Sequence, residues 1–224
     1  MKIKHFLLLM GLLVGATAID AQTRQADTSK MMLDTRQAKP ATSRTPPAAG
    51  HHAQPPITVS LPQATKDSLI KSIRAIFQRI NHDTTLRQVD LDIDTLEEII
   101  GGSPDNGAEV TGYFKKDELC KITMSMGPSF GIKDWEYYYD QGQVVFVYEK
   151  DRHYPVTKDG LDHERLVVGF EGRFYFNKGR LFTKTIKRYD QFMAEEIDDN
   201  YIRDLLDDMP PYVNALRRQM KKKN

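Results

Sequence analysis

Between Glu109 and Lys187 the chain repeats one short pattern three times: two aromatics, a polar tight turn, then an apolar strand. The copies run Tyr113-Phe114-Lys115-Lys116-Asp117-Glu118-Leu119-Cys120, Tyr138-Tyr139-Asp140-Gln141-Gly142-Gln143-Val144-Val145 and Tyr175-Phe176-Asn177-Lys178-Gly179-Arg180-Leu181-Phe182. In the last two, Gly142 and Gly179 stand third in the turn, where a type I turn followed by a left-handed residue needs glycine. Each copy therefore reads as a β-hairpin, the first one without the glycine. Three hairpins in series predict a meandering antiparallel sheet over about 84–187.

Side chains alternate across a strand, so counting outward from each turn predicts two faces. Phe114, Ile122, Met124, Trp135, Tyr137, Tyr139, Val147, Phe174 and Phe176 share one face with Cys120, Val145 and Phe182. That face is expected to be the core, packed against an N-terminal helix, with Cys120 a buried small hydrophobe. Tyr113, Tyr138 and Tyr175 fall on the other face with Arg173, Leu119, Val144 and Leu181. A tyrosine joins an apolar ring to a hydrogen-bonding tip, so the row Tyr113, Tyr138, Tyr175, Arg173 and Leu181 is the candidate binding face. The competing expectation is that the C-terminal helices lie across this row as a second core layer.

The flanks are helical. Ser60-Leu61-Pro62-Gln63 offers a capping box, and Leu69, Ile73, Ile76, Phe77 and Ile80 recur at three- and four-residue spacing, predicting one amphipathic helix over 62–80. After Arg188 the spacing of Phe192, Ile197, Tyr201, Ile202, Leu205 and Leu206 is again helical. Pro210-Pro211 breaks it, and a last short helix is predicted over Tyr212–Lys221. Helices over 190–221 complete an α+β domain: an N-terminal amphipathic helix packed on a meandering antiparallel sheet, with C-terminal helices. Asp90, Asp92 and Asp94 alternate with Val89, Leu91 and Ile93 like the start of a calcium loop. Thr95 stands where such a loop needs glycine and Gly101 where it needs glutamate, so an edge strand with an acidic outer face is expected, Asp94 capping a short turn after it.

The chain begins with Lys2, Lys4 and His5, an apolar run from Phe6 to Val14, and small residues through Ala21. This is the pattern of a secretory signal peptide over 1–21, so an exported protein, periplasmic or extracellular, is expected. Residues 22–56 are rich in Pro, Thr and Ala and are expected to form a disordered tether, its His51-His52 solvated. The domain then spans 57–224. A net charge of +1 gives no bulk attraction for nucleic acid, and the lone Cys120 excludes an intramolecular disulfide. No further apolar run is long enough to span a bilayer.

A Gly-Gly after an acidic turn (Gly101-Gly102), Gly112-Tyr113-Phe114 with Leu119-Cys120-Lys121-Ile122, Glu136 to Tyr139 closing on Val145 to Glu149, and Arg173 to Phe176 with Gly179-Arg180-Leu181 resemble a family of uncharacterised secreted or periplasmic bacterial proteins over about 95–185. The resemblance implies a shared fold and brings no assigned reaction. Each hairpin alone also resembles MORN-type repeats, but the copies are spaced too unevenly for such an array.

No zincin, nucleophile-elbow, phosphate-loop or dinucleotide signature occurs, and no cofactor is expected. The chain reads as a non-enzymatic interaction module, its partner a protein or glycan of the cell envelope. One alternative is a hydrolase or metal-dependent enzyme using the 151–164 loop, where His153, Asp162 and His163 are the candidate ligands, although Asp162-His163-Glu164 are consecutive and an extended chain cannot bring all three to one point. The other is a structural envelope protein.

Overall fold

The structure is a computed structural model that describes residues 56–189 and 196–222. The signal-peptide reading of 1–21, His51-His52, the tether apart from its last residue and the helical reading of 190–195 lie outside the described residues. Helix α1 (Gln63–His82) is followed by β1 (Arg87–Asp90) and α2 (Ile93–Ile100). Four strands come next: β2 (Ala108–Lys115), β3 (Glu118–Met126), β4 (Gly131–Asp140) and β5 (Gln143–His153). A small hairpin, β6 (Val156–Thr157) and β7 (Gly160–Leu161), separates them from β8 (Val167–Asn177) and β9 (Arg180–Arg188); α3 (Asp199–Asp207) and α4 (Met209–Lys222) close the chain.

Seven strands form one antiparallel sheet in the order β1-β2-β3-β4-β5-β8-β9, a meander in which neighbours in sequence are neighbours in space. The fold is α+β. The hairpins turn more tightly than expected. Asp140 pairs with Gln143 and Asn177 with Arg180, so each loop has two residues, and both are left-handed: Gln141 and Gly142, then Lys178 and Gly179. These are the turns whose twist matches that of the flanking strands, replacing the expected type I geometry.

One pair beyond each turn the register slips by a residue, at Tyr113/Phe114, Tyr138/Tyr139 and Tyr175/Phe176. Phe114 faces Leu119, but Tyr113 faces Lys121, leaving Cys120 as a β-bulge; Val145 and Phe182 are bulged in the same way. The bulges correct the expected faces. Leu119, Val144 and Leu181 join the layer of Phe114, Ile122, Tyr137, Val147 and Phe174, whereas Cys120, Val145 and Phe182 join Tyr138 and Phe146. The alternation itself holds; each bulge absorbs one residue and shifts only the pair beside the turn.

Each sheet face carries its own layer. Helices α2, α3 and α4 cover the larger one through Leu96, Ile202, Leu205, Tyr212, Leu216 and Met220. Gly112 lets α4 come close, since a Cβ there would lie 3.0 Å from Leu216 Cδ1. Helix α1 lies on the other face, where Ile73 and Ile80 join Tyr138, Phe146 and Phe182. The layer expected under the N-terminal helix is thus the one under the C-terminal helices; α1 packs Ile73, Ile76 and Ile80 on the row beside the turns, to which the bulges bring Cys120, Val145 and Phe182.

Local rules set the helix ends. The helix α1 starts after Pro62 with no side-chain cap, so the expected capping box does not form. Asp92, rather than Asp94, caps α2 by accepting from the Thr95 amide at 2.9 Å, which ends β1 at Asp90. Pro210 and Pro211 sit in the first turn of α4, where no amide is needed, so they begin a helix. No described helix is long and apolar enough to cross a membrane.

Candidate functional site

Tyr138 is fully buried at 0% exposure. Its ring packs on Phe77 of α1 (4.9 Å) and Phe146 (5.6 Å). Its hydroxyl donates to Glu136 and accepts from the Asn81 amide at 3.0 Å, and Lys121 closes the network through Glu136 (3.0 Å) and Asn81 (3.2 Å). Burial, then the bond to Glu136, pushes the Tyr138 phenol far above its ordinary range. Tyr113 and Tyr175 flank it half-buried, and Arg173 sits half-buried over the Tyr148 ring at 5.1 Å. Leu181 lies in the opposite layer, at 2% exposure. The residues singled out as a binding face therefore do not form one open surface, and the helix covering Tyr138 is α1, where the C-terminal helices were the expected cover.

The 151–164 segment does not converge either. His153 ends β5 half-buried, the Asp162 carboxylate is engaged by the Glu164 amide (3.2 Å) and Arg165 (3.6 Å), and exposed His163 rests on Tyr154 at 4.7 Å. Among the described residues no three of His, Cys, Asp and Glu come together as a metal-ligand set.

The principal cavity lies between the sheet and the ends of α2, α3 and α4, with a volume of about 530 Å³. Strand alternation builds its floor. Met124, Trp135 and Glu149 are cross-strand neighbours on β3, β4 and β5, with Met126 and Lys133 one row further. Helix α2 supplies Ile99 and Ile100, and the α3–α4 junction supplies Leu205, Met209 and Tyr212. The wall is apolar and rich in methionine, a side chain that adapts to the shape of an occupant. At the mouth stand Asp204, Asp207 and Asp208.

One carboxyl is held inside this apolar wall. Glu149 is 1% exposed, and the Tyr201 hydroxyl of α3 lies 2.6 Å from both its oxygens. Burial pushes its pKa from the ordinary 4.5 up to about 7; Asp151 adds to the rise, while the hydroxyl of Tyr201, Lys133 and the Trp135 indole oppose it. Next along β5, Asp151 is 5% exposed and pairs with Lys133 at 3.6 Å. Asp208 in the same lining is also pushed up, by burial and then by Asp204 and Asp207, and a pocket of this size with perturbed acids in a largely apolar wall has the build of a small-molecule site.

Sequence reasoning did not single out Glu149, Lys133 or Tyr201. A signal was present for the first two. Glu149 stands two residues after Val147, and Lys133 two before Trp135, so the same alternation that assigned the core places a charge of each sign on its face. Nothing in the sequence places Tyr201 over Glu149, because 52 residues separate them.

No family model matches this sequence, and no curated protein or solved structure is significantly similar to it.

Proposed function

We propose that this protein is an exported, non-enzymatic binding protein that holds a small, largely apolar molecule in the cleft between its sheet and its C-terminal helices. The observation that carries the reading is the cleft of about 530 Å³, in which methionine, aromatic and branched aliphatic side chains surround a carboxyl that is 1% exposed. Burying an acid costs stability even where, as here, Tyr201 hydrogen-bonds it, and a carboxyl kept at that cost beside a cleft is suited to contact an occupant. Export rests on the basic start, short apolar run and small residues of the first 21 positions. The resemblance to secreted or periplasmic proteins with serial aromatic hairpins supports the same location.

The test uses a neutral apolar dye, N-phenyl-1-naphthylamine. Its emission should rise on uptake, and the only tryptophan of the chain, Trp135, lines the cleft and should transfer energy to it. Met126→Arg puts a long cationic chain into the cavity from a half-buried position and should abolish uptake at an unchanged melting temperature. Equal dye binding by the folded variant, or none by the natural protein, rejects the reading.

A further inference from the structure

We infer that the cleft takes an organic cation: a primary or secondary amine carried on an aromatic or branched aliphatic body, its ammonium seated beside Glu149. This rests on the reading that the cleft binds a small molecule, and adds its charge and head group.

The lining carries four carboxyl groups, Glu149, Asp204, Asp207 and Asp208, against a single cation, Lys133. That cation is paired with Asp151 at 3.6 Å, so its charge is already matched. An anionic ligand would pass three carboxylates at the mouth and lose its water beside a fourth, with like charges at short range. A neutral ligand would leave Glu149 with only the donors it has. An ammonium supplies both a compensating charge and further donors, and a charge-assisted bond of this kind is strongest where water is excluded. The acidic mouth raises the local concentration of cations, and Trp135, Tyr137 and Tyr212 in the lining are side chains that suit a cation as well as an aromatic body. Volume sets the size class, since a cavity of about 530 Å³ holds a body of one or two rings.

Glu149 also makes binding depend on pH. The groups facing it are Lys133, Trp135 and Tyr137 from β4, Asp151 from β5 and Tyr201 from α3; Asp208 and Tyr212 of the α3–α4 junction act on Tyr137, and α2 brings only Ile99 and Ile100. With its carboxyl near 7, about half of the empty protein carries a proton there at neutral pH. An arriving ammonium favours the ionised form, so binding releases that proton, and affinity should rise roughly tenfold between pH 6 and pH 8.

Calorimetric titration of the full chain with three indoles of matched shape decides the matter: tryptamine, tryptophol and indole-3-acetate. Tryptamine is expected to bind at least about tenfold tighter than tryptophol at pH 8 and indole-3-acetate weakest, with a heat that depends on the buffer because a proton is released. Glu149→Gln should bring tryptamine to the level of tryptophol and flatten the pH dependence. Should that variant fail to fold, the exposed triple change Asp204→Asn, Asp207→Asn, Asp208→Asn is the second probe, expected to weaken tryptamine several-fold and to reduce its salt sensitivity. If tryptamine and tryptophol bind alike, or if neither variant weakens the amine, the cation is overturned while dye uptake by the natural protein still upholds a binding cleft. If the dye and all three indoles fail to bind, both readings fall.

Discussion

The two faces of the sheet treat a buried polar group in opposite ways. Under α1, Tyr138 is enclosed with its hydroxyl satisfied by Glu136 and Asn81, and its neighbours Phe77, Phe146 and Tyr175 fill the space around it. Beyond that row the face is polar: Thr123, Glu136, Tyr148 and Arg173 form one half-buried row, and Ser125, Asp134, Lys150 and Glu171 the next. Their side chains pair with one another and with the row beyond, as Tyr148 with Glu171 at 3.0 Å and Asp134 with Arg152 at 2.6 Å, and stay half in water. On the opposite face the apolar rows continue further, three helices cover them, and a carboxyl is buried next to the cleft. Both groups are hydrogen-bonded and both are pushed up in pKa by burial; the difference is that Tyr138 sits inside a packed aromatic cluster, whereas Glu149 borders a cleft.

The comparison breaks first if either layer proves dispensable. Leu216→Ala under α4 and Tyr138→Ala under α1 should each cost about 3–5 kcal/mol, since both side chains are fully buried and leave a cavity. Urea midpoints measure this, and a cost near zero for Tyr138→Ala would restore the open tyrosine face.

Glu149 sharpens it. Its folded pKa of about 7 lies above the unfolded value near 4.5, so the protonated carboxyl is favoured by folding. That contribution is present below about pH 4.5 and is lost as the pH rises through about 7, amounting to roughly 3 kcal/mol by pH 8. Glu149→Gln, which cannot ionise, should therefore be more stable than the natural protein at pH 8 and closely similar at pH 4.5. A stability difference that stays flat over that range would place Glu149 in contact with water.

Tyr138→Phe keeps the ring and removes the hydroxyl, so it should cost only about 1 kcal/mol, with Glu136 and Asn81 still within reach of water and Lys121. The smallest change belongs to the polar rows: Tyr148→Phe should fall within about 1 kcal/mol of the natural protein, its bond to Glu171 being half in water. A loss as large as that of Tyr138→Ala would mean that these rows are covered in solution.

Local chemistry made the sheet legible. Asp140-Gln141-Gly142-Gln143 and Asn177-Lys178-Gly179-Arg180 carry their turn in the residues themselves, and the aromatic and β-branched flanks alternate on either side. The three slipped pairs were not legible, because a β-bulge depends on how two strands twist together and leaves no mark in either strand. The site was half legible: Glu149 and Lys133 break the core face in a pattern that can be counted, whereas Tyr201, Leu205 and Met209 reach them across more than 50 residues of chain.

The hairpins, the antiparallel meander and, apart from the pair beside each turn, the residues that share a strand face were readable from the sequence, since each follows from turn residues and a two-residue period within a few positions. Tertiary structure alone decided which helix covers which face, and so which residues are core and which line a cleft. Both faces offer an apolar row beside the turns, and a helix stripe fits either by hydrophobicity. The choice falls to extent and close approach. The stripe of α1 packs on the row of Tyr138, Phe146 and Tyr175, whereas α4 settles where Gly112 admits Leu216, leaving Glu149 buried beneath the junction of α3 and α4.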